Sequence, residues 1–356
     1  MSLDFPIKLH TLPTTFHDKN LKGQYCLSPF IMIEVALNGD IRLCGCADWM
    51  PTVVGNVFDT PLDQILSSPL AIEIRQSIVN GTYRYCNENT CGILRNNGLN
   101  TVDMLPANVA HLIEDSTRYC MPYEISISGD LTCNLSCPSC RNTIVKVPKD
   151  RLEQQEALGE ILAKNLFSIP TDQTIHFILS TSGELFASPM LLKFVNKINL
   201  DLFPNVVLSI QTNGLLCKSR WDRLGHMEQA VKKVTMTIDA ACAETYEIVR
   251  RGGTWPEALE ALDFLKNKKS TTGMQFHTRM VVQQLNYKEM AKFYELSILN
   301  GADVVEYVGL QNWGTYTSDE YQHHNVFNPV HPEYLTAKEL LEEIKKLPNT
   351  WFAGNF

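Results

Sequence analysis

The sequence contains no stretch of about 18 uninterrupted apolar residues, the length a membrane-crossing helix needs, and no run of Lys and Arg stands out. Its 31 basic residues are outnumbered by 39 acidic ones, for a net charge of −8, so the positive footprint of a nucleic-acid-binding protein is missing. The opening Met1-Ser2-Leu3-Asp4-Phe5-Pro6 has no basic flank leading into an apolar segment, which removes the signal-peptide reading. A soluble, cytoplasmic protein without nucleic-acid or membrane partners is expected. With 44% hydrophobic and 20% charged residues, the composition excludes wholesale disorder and fibrous repeats. The 356 residues suffice for about two domains whose cores need no disulfide staples.

What the chain does have is cysteine. Nine of its 11 cysteines fall within the first 140 residues. Disulfides rarely persist in a reducing compartment, so that skew points to metal.

Two β-type runs within residues 30–45 flank Asn38-Gly39-Asp40, a sequence suited to a type I′ hairpin. Apolar positions at helical spacing follow over 62–79, and Gly81 ends that helix. With cysteines at 26, 44, 46, 86 and 91 bracketing these elements, a small first domain is placed at 22–95, before a polar connection over 95–118 with one short helix. From residue 123 strands and helices alternate strictly. Strands are expected at 123–128, 174–180, 205–211, 232–238, 273–281 and 303–308, with helices at 151–166, 187–198, 219–230, 255–268 and 287–299. Six βα units joined by short connections imply a parallel sheet, open or curled into a partial barrel. An amphipathic helix near 337–347 belongs to a tail, 313–356, expected to close the barrel's open side; His323, His324 and His331 read as surface or packing residues.

The strand alternation is unusual. Ile125 and Ile127 oppose Glu124, Ser126 and Ser128; Val234, Met236 and Ile238 oppose Thr235, Thr237 and Asp239; Ser209, Gln211, Asn213, His277 and Arg279 continue the polar side. A fully packed barrel interior would be rich in Val, Ile and Leu. A polar lumen suits a polar ligand.

The strongest local signal is Cys133-x3-Cys137-x2-Cys140, a loop leaving the first strand of the alternating region. Three thiolates on so short a loop can hold three irons of a [4Fe–4S] cube and leave the fourth iron open to substrate or cofactor. Tetrahedral zinc is the alternative. It needs a fourth ligand, and no His or Cys occurs in the thirty residues after Cys140.

This loop, set between the first strand and first helix of a (βα)6 pattern, resembles the radical S-adenosylmethionine (SAM) superfamily over about residues 120–312. Ser182-Gly183-Glu184 resembles the family's Gly-Gly-Glu segment, whose backbone binds the methionine amino group, and Thr212-Asn213-Gly214 ends the third strand. Thr237-Ile-Asp239-Ala resembles the Ser-x-Asp-Gly segment that meets SAM, and Arg250-Arg251-Gly-Gly the Arg-Gly-Gly that follows it. The resemblance makes Arg251 the partner of the SAM carboxylate, with Arg250 the alternative. One departure is Ser139, where the family often carries an aromatic residue.

Cys26-x12-Gly39-x4-Cys44, followed by Cys86 and Cys91, resembles the SPASM and twitch domains that hold auxiliary Fe–S clusters in these enzymes. The implied ligands of one closed, auxiliary [4Fe–4S] cluster are Cys26, Cys44, Cys86 and Cys91, with Cys46 a competitor and a four-cysteine zinc site the alternative. The family places this domain after the barrel, whereas here it comes first.

The resemblance implies a partial (β/α)6 barrel with a small N-terminal α+β Fe–S domain. It also implies reductive cleavage of SAM to a 5′-deoxyadenosyl radical, abstraction of hydrogen from a small polar substrate or peptide, and an electron donor such as flavodoxin or ferredoxin. An auxiliary electron acceptor makes oxidation the leading outcome, with His277 or Glu306 taking the proton. Epimerisation is the second reading, with Cys217 or Cys242, both beyond strand ends, returning hydrogen. The third is a non-catalytic Fe–S or zinc protein. Cys120 is expected to be inert, and Glu306 to Gly314 to form either a substrate contact or a capped, packed loop.

Overall fold

The computed structural model describes residues 20–356 except 37, 96, 120, 129, 147–148, 168–172, 180–181 and 355. Among the described residues ten strands form one open sheet: β1 (Met32–Val35), β2 (Asp40–Arg42), β3 (Gly55–Asn56), β4 (Glu124–Ile127), β5 (Ile175–Leu179), β6 (Val206–Thr212), β7 (Val231–Thr237), β8 (Gln275–Val282), β9 (Val304–Gly309) and β10 (Thr350–Ala353). Their order is β10-β9-β8-β7-β6-β5-β4-β1-β2-β3. Every pair from β4 to β9 is parallel, so the six expected βα units make the expected partial barrel.

Parallel pairing keeps side chains in register across the sheet, so the polar positions converge. Glu34, Ser126, Ile178 and Ser209 form one row; Gln211, Thr235 and His277 a second; Thr237, Arg279, Glu306 and Trp351 a third. The opposite face carries Ile125, Phe177, Leu208, Ile210, Val234, Met236, Phe276, Met280 and Val305, all fully buried. The helices Lys149–Leu166, Pro189–Val195, Trp255–Thr272 and Met290–Leu299 follow the strands they cover. Phe167, Phe177, Phe194 and Phe203 pack ring to ring beneath β5, with Phe177 and Phe194 edge to face at 5.7 Å.

Several local expectations are corrected. The Asn38-Gly39 turn is not type I′, which needs positive φ at both central residues. Gly39 has φ 84° while Asn38 is not among the residues in that region, and Gly39 N donates to Ala36 O at 3.0 Å, so a longer loop ends on a left-handed glycine. The helix expected over 62–79 is broken into Leu62–Leu66 and Pro69–Val79, because Ser68 caps the second helix through Ala71 N and Pro69 occupies its first turn. The cysteine-bearing hairpin joins the barrel sheet directly, β1 pairing parallel with β4. The tail contributes a helix, Tyr334–Ile344, and also an unexpected strand, β10, parallel to β9. Among the described residues no helix is long and apolar enough to cross a membrane.

Phe177→Ala, at the centre of the aromatic cluster, is expected to lower unfolding stability by about 3–5 kcal/mol. Trp351→Ala, on the open edge, should change it by about 0.5 kcal/mol or less. Urea unfolding followed by circular dichroism checks both.

Candidate active site

The cysteine loop leaves the C-terminal end of β4 and is held by local bonds. Cys133 N donates to Val145 O at 3.0 Å, and Cys140 N and Arg141 N both donate to Cys137 O at 2.9 Å. Leu135 N donates to Cys133 Sγ at 3.4 Å. Arg141 fixes the loop to its neighbour: its guanidinium donates to Leu131 O (2.6 Å), Ser182 O (2.8 Å) and Cys140 Sγ (3.3 Å). Sequence reasoning missed Arg141, although a cation directly after the third cysteine was a visible signal.

The Ser182-Gly183-Glu184 segment lies against this loop. A Cβ on Gly183 would stand 2.1 Å from Asp130 O and 2.9 Å from Thr132 O, so the close approach requires glycine. Glu184 N donates to Thr132 O at 2.8 Å. The Glu184 carboxylate, buried, accepts from Thr212 Oγ1 (2.9 Å), Asn213 N (2.8 Å) and Phe186 N (3.2 Å). It joins the ends of β5 and β6. Asn213 then reaches Asn134 Oδ1 at 2.9 Å and Cys133 Sγ at 3.8 Å. Burial pushes the Glu184 carboxyl up, opposed by those hydrogen bonds.

Asp239 sits at the end of β7 with φ 61°, a conformation that Asp tolerates better than most residues. Its Oδ1 accepts from Val281 N (2.7 Å), its Oδ2 from the Arg250 guanidinium (3.1 Å), and its carbonyl from Asn286 Nδ2 (2.8 Å). Arg250 is largely buried and its Nε has no partner. Arg251 reaches outward, donating to Ser136 Oγ and Asn142 O at 3.2 Å each. The adjacent arginines thus divide. Arg250 holds Asp239, and Arg251 holds the cysteine loop. Thr237 shares the lumen row of Arg279.

Below, the lumen network is continuous. His277 Nδ1 and Glu306 Oε1 are 2.7 Å apart; Arg279 donates to Glu306 Oε2 through Nε (2.8 Å) and to Gln211 Oε1 (2.9 Å). Burial works against the Glu306 charge, but the His277 hydrogen bond and Arg279 outweigh it and hold the carboxyl at about 2. Cys217 lies elsewhere, fully buried in the core with Thr212 Oγ1 3.6 Å away. Cys242 precedes the helix Ala243–Val249, its Sγ donating to Thr245 Oγ1 (3.6 Å) and Glu289 Oε1 (3.5 Å). Cys120 lies outside the described residues.

The second cysteine set is organised by Tyr83. Its Oη accepts from Cys26 N (3.0 Å) and donates to Gln24 O (2.7 Å), while its carbonyl accepts from Cys86 N (2.9 Å). Cys44 feels Cys26, Cys86 and Cys46, and Cys26 feels Cys91; the leading charges at Cys46 are Asp48 and Glu34. Among the described residues no three His, Cys, Asp or Glu side chains are gathered to hold a single metal ion. Burial pushes Cys137 up to about 11 and Cys44 well above its usual range. Cationic irons held by these sulfurs would offset that burial and favour the thiolate form. Cys44 follows Arg42, the partner of mid-strand Glu34, and Gly45 closes on Met32 at the start of β1. The two cysteine sets thus lie toward opposite ends of the parallel strands.

Residues 131–297 match the radical SAM superfamily, and residues 26–92 match an iron–sulfur cluster-binding domain, SPASM. No curated protein matches. Among solved structures, Streptococcus suis SuiB bound to precursor peptide SuiA is 10% identical, with 69% of this chain and 52% of that chain covered and a TM-score of 0.43. For anSMEcpe with bound AdoMet the values are 19%, 53%, 51% and 0.39. A radical SAM methyltransferase from Sphaerobacter thermophilus gives 15%, 62%, 63% and 0.36. The chain spans about half the length of the SuiB and anSMEcpe chains. The cysteine loop at the end of the first barrel strand, the strand-end segments packed around it and the two matched stretches place the chain in the radical SAM superfamily, with S-adenosylmethionine and [4Fe–4S] clusters as its cofactors and a SPASM domain ahead of its barrel.

Proposed function

We propose that this enzyme oxidises a polar substrate held in the barrel lumen, removing a carbon-bound hydrogen and then a proton. The carrying observation is the Gln211–Arg279–Glu306–His277 network, which lines the lumen face between the ends where the two cysteine sets lie. Cys133, Cys137 and Cys140 are the proposed ligands of the cluster with an open iron; Cys26, Cys44, Cys86 and Cys91 are those of the auxiliary cluster. When bound, the first cluster and SAM supply a hydrogen-abstracting carbon radical, and the auxiliary cluster an electron acceptor.

This chain's own residues do the rest. The Ser182–Glu184 segment, Asn213, Thr237 and Asp239 surround the position proposed for SAM, and Arg251 pairs with its carboxylate. In the lumen Glu306 is too weak a base to take a proton, with both oxygens engaged and its carboxyl held at about 2. It instead accepts the Nδ1–H of His277, which leaves Nε2 as the proton acceptor for an alcohol or amine. Arg279 keeps Glu306 charged and in place. Epimerisation would need a thiol beside the substrate. Cys217 faces the core, and Cys242 is engaged with Thr245 and Glu289.

Turnover in D2O tests the reaction class. Oxidation leaves no carbon-bound deuterium in the product, and Ala at Cys217 or Cys242 spares catalysis. Deuterium at the abstracted carbon of an isomeric product, lost in one of those variants, would establish an epimerase instead. His277→Asn should slow product formation by about 10²–10⁴ while uncoupled formation of 5′-deoxyadenosine persists. Equal loss of both would assign His277 to the fold.

The arginines separate by binding and stability. Arg251→Ala should weaken SAM binding several-fold to a hundred-fold, for loss of about 1–3 kcal/mol, with unfolding little changed. Arg250→Ala leaves Asp239 buried without its ion-pair partner and should cost about 3–5 kcal/mol of stability. Calorimetric SAM titration and urea unfolding measure the two. An unaltered dissociation constant in Arg251→Ala would pass the carboxylate to Arg250.

A further inference from the structure

Arg141 directly follows the third cysteine of the loop, and its guanidinium is fixed by backbone on two sides. Nη1 donates to Leu131 O at 2.6 Å and Nη2 to Ser182 O at 2.8 Å, so the group bridges the chain entering the cysteine loop and the segment after β5. Nη2 carries two hydrogens. The second is directed at Cys140 Sγ, 3.3 Å away. That sulfur is held in turn, because Cys140 N and Arg141 N both donate to Cys137 O at 2.9 Å.

The three sulfurs of the loop are not equivalent. Cys133 and Cys137 are buried, whereas Cys140 is exposed. Cys133 Sγ accepts from neutral donors, Leu135 N at 3.4 Å and Asn213 Nδ2 at 3.8 Å. Cys140 Sγ accepts from a cation. The two arginines on the other side of the loop are engaged with oxygen, Arg250 with Asp239 Oδ2 and Arg251 with Ser136 Oγ and Asn142 O. A charged donor binds a sulfur more strongly as that sulfur becomes more negative, and one-electron reduction of a [4Fe–4S] cluster adds one negative charge to the cube and its ligands. We propose that Arg141 is a positioning residue that keeps its hydrogen bond to the Cys140 sulfur when that thiolate ligates the cluster with the open iron, and so raises the cluster's reduction potential. The two carbonyl contacts set the direction of the N–H in advance, so reduction requires no rearrangement of the side chain.

The inference rests on Cys140 being a ligand of the cluster that binds SAM, and the experiment separates the two claims. Anaerobically reconstituted wild-type, Arg141→Gln and Arg141→Lys proteins, with both cysteine sets intact, are titrated with dithionite through redox mediators and followed by electron paramagnetic resonance. The reduced signal that changes when SAM is added reports the first cluster, and the other signal is the internal control. In Arg141→Gln the reduced-to-oxidised ratio of the first cluster at a fixed potential should fall about threefold to tenfold, the upper value being 59 mV for a one-electron couple. The auxiliary cluster should keep its ratio within about twofold. Arg141→Lys retains a charged donor and should restore most of the first cluster's ratio. An unshifted first cluster in Arg141→Gln, equal shifts of both clusters, or a lysine variant no better than the glutamine one would overturn the proposal. Failure of both variants to load the first cluster would also overturn it, assigning Arg141 to the folding of the loop. Absence of any SAM-responsive signal in the wild-type protein would overturn the ligand assignment itself.

Discussion

The close approach of Gly183 to the Asp130 and Thr132 carbonyls is the contact on which the upper end of the barrel depends. It allows the segment after β5 to lie flat against the cysteine loop. Glu184 then turns inward and binds Thr212 Oγ1 and Asn213 N at the end of β6, and Asn213 returns to Cys133 and Asn134. Any side chain at 183 would push the segment away and leave a buried carboxylate without its donors. That loss is costlier than the hydrogen bonds alone, because an unpaired buried charge keeps its desolvation penalty. Loop spacing is therefore set by backbone contact and not by the flexible reach of side chains.

The same logic explains why the lumen tolerates charge. Glu306 lies deep in the barrel but is matched on both oxygens by His277 and Arg279, and Arg279 is steadied in turn by Gln211. Glu34, in the row toward the auxiliary cysteines, has weaker support: Arg42 is 3.9 Å away and one carboxylate oxygen lacks a partner. Burial accordingly pushes Glu34 up while Glu306 is held down. Two carboxylates on one sheet face are thus set to opposite protonation tendencies by their neighbours alone.

Much of this was legible in the sequence because parallel strands impose a simple code. Ile125 and Ile127 against Ser126, or Val234 and Met236 against Thr235, announce both the strand and its two faces. The cysteine loop was legible because its spacing is local. What escaped depends on pairing between distant segments. Nothing in Met32–Val35 says that it will lie parallel to Glu124–Ile127, and Thr350–Ala353 is too short to show alternation before β9 recruits it. The break at Ser67-Ser68 was signalled by Pro69 but hidden by the apolar spacing on either side. Cys217 and Cys242 looked alike by position, both beyond strand ends, and only packing separates a core thiol from one at a helix start.

The central claim is that one chain holds an open cluster and a closed cluster in two independent cysteine sets. Metal analysis of anaerobically reconstituted protein, joined to electron paramagnetic resonance with and without SAM, addresses it most directly. The account predicts about eight irons and eight sulfides per chain, and two reduced-cluster signals of which only one changes when SAM is added. Stoichiometric zinc, about four irons, or two signals that both respond to SAM would contradict it.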